Sequence, residues 1–111
     1  MDILKQMGRR LAMRRKQLGL SQDNVAERAE LTTQTISTAE TGSKALRPEN
    51  IVKICDALGI STEYALRGSI APEDVSPLFE QMSQLPPQQY RCLENIILNY
   101  IEAVTSYEDE A

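Results

Sequence analysis

The sequence predicts an all-α chain. Apolar residues recur at spacings of three and four, with no strand-like alternation. Glycines at 19, 42, 59 and 68 close successive periodic stretches, and Ser, Thr or Pro opens the stretch that follows. A length of 111 residues suits one domain, or a small domain with an appendage.

The first helix is expected from about Ile3 to Leu18, with Leu4, Met7, Leu11, Ala12 and Leu18 near one face and arginines on the other. Gly19 ends it, and Ser21 offers an N-cap oxygen to a short second helix, about Gln22 to Glu30, with Val25, Ala26 and Ala29 inward. Another capping break at Leu31–Thr33 leads into helix three, about Thr33 to Thr41, which inserts Ile36 and Ala39 into the core. Its other positions are Thr33, Gln34, Thr35, Ser37 and Thr38, residues of modest helix propensity. Helicity alone would favour Ala, Glu or Lys there, so this face is built for contact. Pro48 opens helix four, which runs to about Leu58 with Ile51, Val52, Ile54, Cys55 and Leu58 apolar. Ser61 caps a fifth, ending at Gly68, in which Tyr64 and Leu66, with Ala65 as a further candidate, close the core.

Charge divides the chain. Residues 1–70 carry 11 Lys+Arg and 8 Asp+Glu, a net of +3, whereas residues 71–111 carry Arg91 alone against 8 acids, a net of −7. The first 16 residues hold six cations against Asp2. Such asymmetry fits a phosphate-facing part and a separate acidic part, although a solvated Arg-rich helix face explains the cations equally well.

Several chemistries are excluded. The chain has no His, so a His general base, a His-containing triad and His metal sites are ruled out, and two Cys cannot make the usual zinc site. No metal, no cofactor and no enzymatic activity are expected. Cys55 and Cys92 are expected to be two buried thiols in a reducing cytoplasm. No apolar run approaches the ~18 residues of a membrane span, and the first residues lack the order of a signal peptide. The expected location is cytoplasmic.

Helix, tight turn, helix, with a polar second member, is the helix-turn-helix arrangement. In its detail the sequence resembles the Cro/CI-type (XRE) family of phage-repressor-like regulators. The diagnostic pieces are Gly19-Leu-Ser-Gln22, the Thr-Thr-Gln opening of helix three, Ala39-Glu-Thr-Gly42 and Ala57-Leu-Gly-Ile-Ser61, in that order, within a stretch covering about residues 5–68. The resemblance implies a five-helix, lambda-repressor-like helix-turn-helix DNA-binding domain at residues 1–69. It implies that Thr33, Gln34 and Thr38 reach base edges in the major groove of double-stranded DNA, where Gln can pair with adenine and Thr can offer its hydroxyl or pack on a thymine methyl. It places Arg10, Gln22, Lys44 and Arg47 near the DNA backbone, with Arg47 towards the minor groove. Thr35 and Ser37 are expected as backbone contacts or as solvated face. Arg15 and Glu40 match an ion pair between helices one and three, which would make Arg15 structural. Two departures matter. Glu30 stands where the family usually has Gly, and Ala39 stands where a larger side chain is common, which predicts looser packing under helix three.

Beyond this domain the sequence predicts a linker at 70–76, C-terminal helices within 77–107 and an acidic tail at 108–111. Ser76-Pro77 reads as a cap and first position for a short helix to Gln84, bearing Leu78, Phe79 and Met82. From about Pro87 to Thr105, Leu93, Ile96, Ile97, Tyr100, Ile101 and Val104 form the most regular amphipathic pattern in the chain, over about 18 residues or roughly 27 Å. This C-terminal amphipathic helical segment must bury its stripe, either on its own helix-turn-helix domain or on a second copy. The favoured arrangement is a homodimer using these six residues, because a dimer reads two half-sites ~34 Å apart. The expected function is a dimeric repressor binding a palindromic operator. The alternative is an antitoxin or other interaction module, with a toxin or antirepressor protein as partner.

Overall fold

The structure, a computed structural model, describes residues 2–110, with side chains to residue 106. The described residues are all-helical, as the sequence predicts: α1 (Ile3–Gln17), α2 (Gln22–Ala29), α3 (Thr33–Thr41), α4 (Pro48–Leu58), α5 (Thr62–Arg67), α6 (Pro72–Ser83) and α7 (Pro87–Glu110). They fall into two compact units, Met1–Val75 and Ser76–Ala111, divided within α6. No described helix is long and apolar enough to cross a membrane.

In the first unit, capping side chains start α1, α2, α3 and α5. Asp2, Ser21, Thr32 and Ser61 each accept the backbone N–H three residues on, and Asn24 returns the bond to the Ser21 N–H. The core joins all five helices through Met7, Leu11, Val25, Ala26, Ile36, Ala39, Ile54, Cys55, Leu58 and Ala65. Burial, then the nearby charges of Asp56 and Asp74, push the Cys55 thiol up to about 11, so it stays protonated and inert.

The small Ala39 does not loosen the packing. Gly8 faces it, and a Cβ there would lie 2.7 Å from the Ala39 carbonyl oxygen and closer still to that of Glu40. Two small residues thus let the α1 and α3 backbones approach each other directly. At the end of α3, Gly42 has φ +67°, and a Cβ there would strike the Lys5 backbone at 2.8 Å. The turn between α2 and α3 is made without glycine: Glu30 adopts the left-handed conformation, φ 57° and ψ 43°. Leu31, whose N–H reaches the Ala26 carbonyl, packs on the core just beyond it and holds the strained residue in place.

Several sequence expectations are corrected. Ala65, not Leu66, closes the core, and Leu66, Val52 and Leu18 are exposed. Val52 and Leu66 lie within helices where periodicity does not separate rim from interior, and Leu18 is the C-cap just past the end of α1. Cys92 is exposed, so only one of the two thiols is buried. Most of the expected linker is helical, because α6 begins at Pro72. Its start is fixed by Asp74, whose carboxylate accepts the Ala71 N–H (2.8 Å), the Ser61 N–H (2.7 Å) and the Ser61 hydroxyl (2.6 Å). Pro77 therefore stands inside the helix, where it removes the N–H that would meet the Glu73 carbonyl. The last helix continues past Thr105 to Glu110. The expected acidic tail, 108–111, lies outside the residues whose side chains are described.

Two outcomes follow for the first unit. Glu30→Gly removes left-handed strain of about 1–2 kcal/mol but frees the unfolded chain, so a net gain of about 0.5–1 kcal/mol is expected in urea unfolding. Burial alone would raise the Asp74 carboxyl, but the bonds from Ser61 and Ala71, helped by the Arg14 charge, outweigh it and hold it below its ordinary value. Its stabilising effect is therefore complete above the ordinary value of 3.8 and is lost as pH falls through the lower folded value. Denaturation across pH should show wild type ahead of Asp74→Asn near neutrality, with the gap closing below about pH 4.

Candidate nucleic-acid interface

Helix α3 is fixed about its own axis by what it buries. Ile36 and Ala39 are each 1% exposed. At 100° per residue, Thr33, Ser37, Thr41, Gln34 and Thr38 then fall on one continuous arc away from that core. Thr35 lies to the flank, half-buried, sharing a 2.8 Å hydrogen bond with the Thr32 hydroxyl. The structure thus brings together four of the sequence-predicted residues, Thr33, Gln34, Ser37 and Thr38, and sets Thr35 apart.

Glu40 locks this orientation. Its carboxylate accepts from Arg15 Nε at 2.7 Å and Nη2 at 3.1 Å, while the Gln22 side-chain amide donates to it at 3.1 Å. Arg15 Nη1 also donates to the Leu20 carbonyl at 3.0 Å. The side chains of Arg15 and Glu40 are 15% and 9% exposed, so the forked pair is largely desolvated. The hydrogen bond to Glu40 pushes the Arg15 guanidinium above its ordinary range despite burial. The predicted ion pair is present and ties α1, the first turn of α2 and α3 together. Gln22 is braced on it with a second amide hydrogen left to donate.

The remaining cations divide. Lys44 and Arg47, in the loop between α3 and α4, are exposed and have no side-chain partner among the described residues. Arg10 sits elsewhere: its guanidinium donates to the Ala65 carbonyl at 3.1 Å, near the end of α5, and fills the space beside Gly68. Arg14 donates likewise to the Leu58 carbonyl at 3.0 Å, at the end of α4. Cations suit helix C-termini, where carbonyls lack partners.

A family model described as "Helix-turn-helix domain" matches residues 6–66, more than half of the chain. The chain belongs to that family. Among solved structures, this helix-turn-helix protein is similar to the restriction-modification controller protein C.AhdI from Aeromonas hydrophila. Identity is 31%, over 56% of this chain and 94% of that one, with a TM-score of 0.54. It is also similar to the P22 c2 repressor protein, solved in complex with synthetic operator 9T. Identity there is 30%, over 57% of this chain and 96% of that one, with a TM-score of 0.54. The clp gene regulator ClgR from C. glutamicum shares the fold at 24% identity, over 68% of this chain and 91% of that one, with a TM-score of 0.54. The family resemblance read from the sequence is therefore correct.

Two residues on this face escaped the sequence reading. Thr41 completes the polar arc, but its hydroxyl turns back to the Ser37 and Thr38 carbonyls and the Ser43 hydroxyl. Asp23, in the first turn of α2, accepts the Thr33 hydroxyl at 2.7 Å. Its ordinary reading as an acid at a helix start hid that second role.

The Glu40 network gives a direct test. Glu40→Ala leaves Arg15 largely buried without a counter-charge, and chemical denaturation should show a loss of about 3–5 kcal/mol. A loss below about 1 kcal/mol would mean that the pair behaves as a surface salt bridge.

Proposed function

We propose that this helix-turn-helix protein is a sequence-specific, DNA-binding transcriptional regulator, acting as a dimeric repressor on a palindromic operator. The observation that carries the reading is the α3 face: a polar run of exposed Thr33 and Gln34 with half-buried Ser37 and Thr38, held at a fixed rotation by buried neighbours. In this reading α3 lies in the major groove, where Gln34 reads adenine and Thr33 and Thr38 contact base edges. Gln22, Lys44 and Arg47 bind phosphates, with Ser37 and Thr35 at the margin. Arg10 enters as a helix-end cap, because its guanidinium is engaged on α5. The likeness to the P22 c2 repressor, a protein solved with an operator, supports this assignment.

The dimer rests on α7. Ile96, Tyr100 and Ile101 are 65%, 71% and 54% exposed, with Ile97 and Val104 beside them and Leu93 half-buried. A stripe this apolar and regular calls for a partner, and a second copy supplies an identical one. A toxin or antirepressor protein seated on the same stripe is the competing reading.

The test is binding to DNA upstream of the protein's own gene at several salt concentrations, with sedimentation of the free protein. Log affinity should fall linearly with log salt. Gln34→Ala should cost about 1–3 kcal/mol at the specific site, whereas Arg47→Ala should weaken all DNA alike and reduce the salt slope by about 1. Ile101→Glu should sediment as a monomer and bind the site more weakly. Equal, weak binding to every duplex would overturn sequence-specific recognition, and a monomeric wild type would overturn the dimer.

A further inference from the structure

Asp23 is an unexpected residue for a surface that meets phosphate. Its carboxylate opens α2 one position after Gln22 and lies beside the reading face of α3. It repels the DNA backbone, so affinity alone does not account for it. What it does in the structure is accept the hydrogen of the Thr33 hydroxyl, at 2.7 Å. Both residues are exposed, and the bond joins the first turn of one helix to the first turn of the next.

The chemistry of that bond is directional. A hydroxyl has one hydrogen and two lone pairs, and an ionised carboxylate only accepts. With its hydrogen committed to Asp23 in a short, charge-assisted bond, Thr33 has only lone pairs and a methyl group left to present. In the major groove the donors are adenine N6 and cytosine N4, whereas guanine offers acceptors alone and thymine offers an acceptor and a methyl group. A free threonine hydroxyl rotates to suit either kind of base edge. A threonine tied to a carboxylate does not.

We propose that Asp23 is a specificity-determining positioning residue: it fixes the Thr33 hydroxyl as a hydrogen-bond acceptor, so that α3 selects adenine or cytosine over guanine, whose edge offers acceptors alone, at the base that Thr33 faces. The assignment rests on the proposed reading in which α3 occupies the major groove. Asp23 acts through Thr33 and sets polarity, at some expense of attraction for the backbone.

The experiment is selection of bound duplexes from a randomised pool by the full-length protein, followed by sequencing. Wild type is compared with Asp23→Ala, Asp23→Asn, Thr33→Val and the Asp23→Ala/Thr33→Val double variant. Asp23→Asn keeps shape and leaves the Ser21 cap in place, but its amide both donates and accepts, so polarity is no longer fixed. Wild type should prefer adenine or cytosine at one position of each half-site. Each single variant should relax that same position by about 3- to 10-fold, the worth of one hydrogen bond, and leave the others unchanged. The double variant should relax it no further than Thr33→Val alone. Total affinity of Asp23→Ala should hold or rise, because a negative charge has left the interface.

If Asp23→Ala and Asp23→Asn keep a preference that Thr33→Val loses, Asp23 sets nothing and the proposal fails. If they lose a preference that Thr33→Val keeps, Asp23 reads the base itself and the positioning role fails. A wild-type preference for guanine at that position also overturns it. A wild type that selects no sequence at all overturns groove reading by α3, and this proposal with it.

Discussion

The rotation of α3 about its own axis is the constraint on which the recognition surface depends. A nine-residue helix with only Ile36 and Ala39 fully buried has little apolar area to orient it. The Arg15–Glu40 fork supplies what packing cannot, because two parallel N–H···O bonds specify an angle as well as a distance. The pair is largely buried, so its net stabilisation is modest and its value is geometric. Gln22 reaches the same carboxylate, and one acidic side chain therefore registers α1, α2 and α3 against each other. Gly8 completes the arrangement by letting the α1 backbone meet α3 with no side chain between them.

Much of the first unit was legible in the sequence. Helix starts at Ser21, Thr32 and Ser61 were readable because capping is a local event, settled within three residues. The Arg15–Glu40 pair was reachable only through family resemblance, since it joins residues 25 positions apart. The Gly usually found in the turn was replaced by Glu30, yet the backbone conformation survived. Packing around Leu31 held the geometry that local preference would have refused.

What was missed was non-local or disguised. Arg10 and Arg14 look like free surface charge, because nothing near them in sequence shows that the ends of α5 and α4 lie within reach. Ser76-Pro77 imitates a helix start, while the true start is set by an Asp three residues inside the helix. Asp23 and Thr33 are ten positions apart, and each has a sufficient local explanation as a helix-opening residue. The net charge of the first unit is unchanged by this, but the cations of α1 are fewer for a polyanion than a count suggests. Lys44 and Arg47, on the loop after α3, are left as exposed positive groups.

The arginines of α1 also bear on how the first unit folds. Arg14 and Arg10 reach carbonyls 44 and 55 positions further along the chain. Gly59 and Gly68 cap the ends of α4 and α5 locally, and one further carbonyl on each, Leu58 and Ala65, is met by a helix made at the other extreme of the unit. Loop closure must precede that satisfaction. Melting α1 would remove both of these bonds at once and expose the core beneath them. A unit tied end to end in this way favours a single cooperative unfolding step over piecemeal loss of its helices.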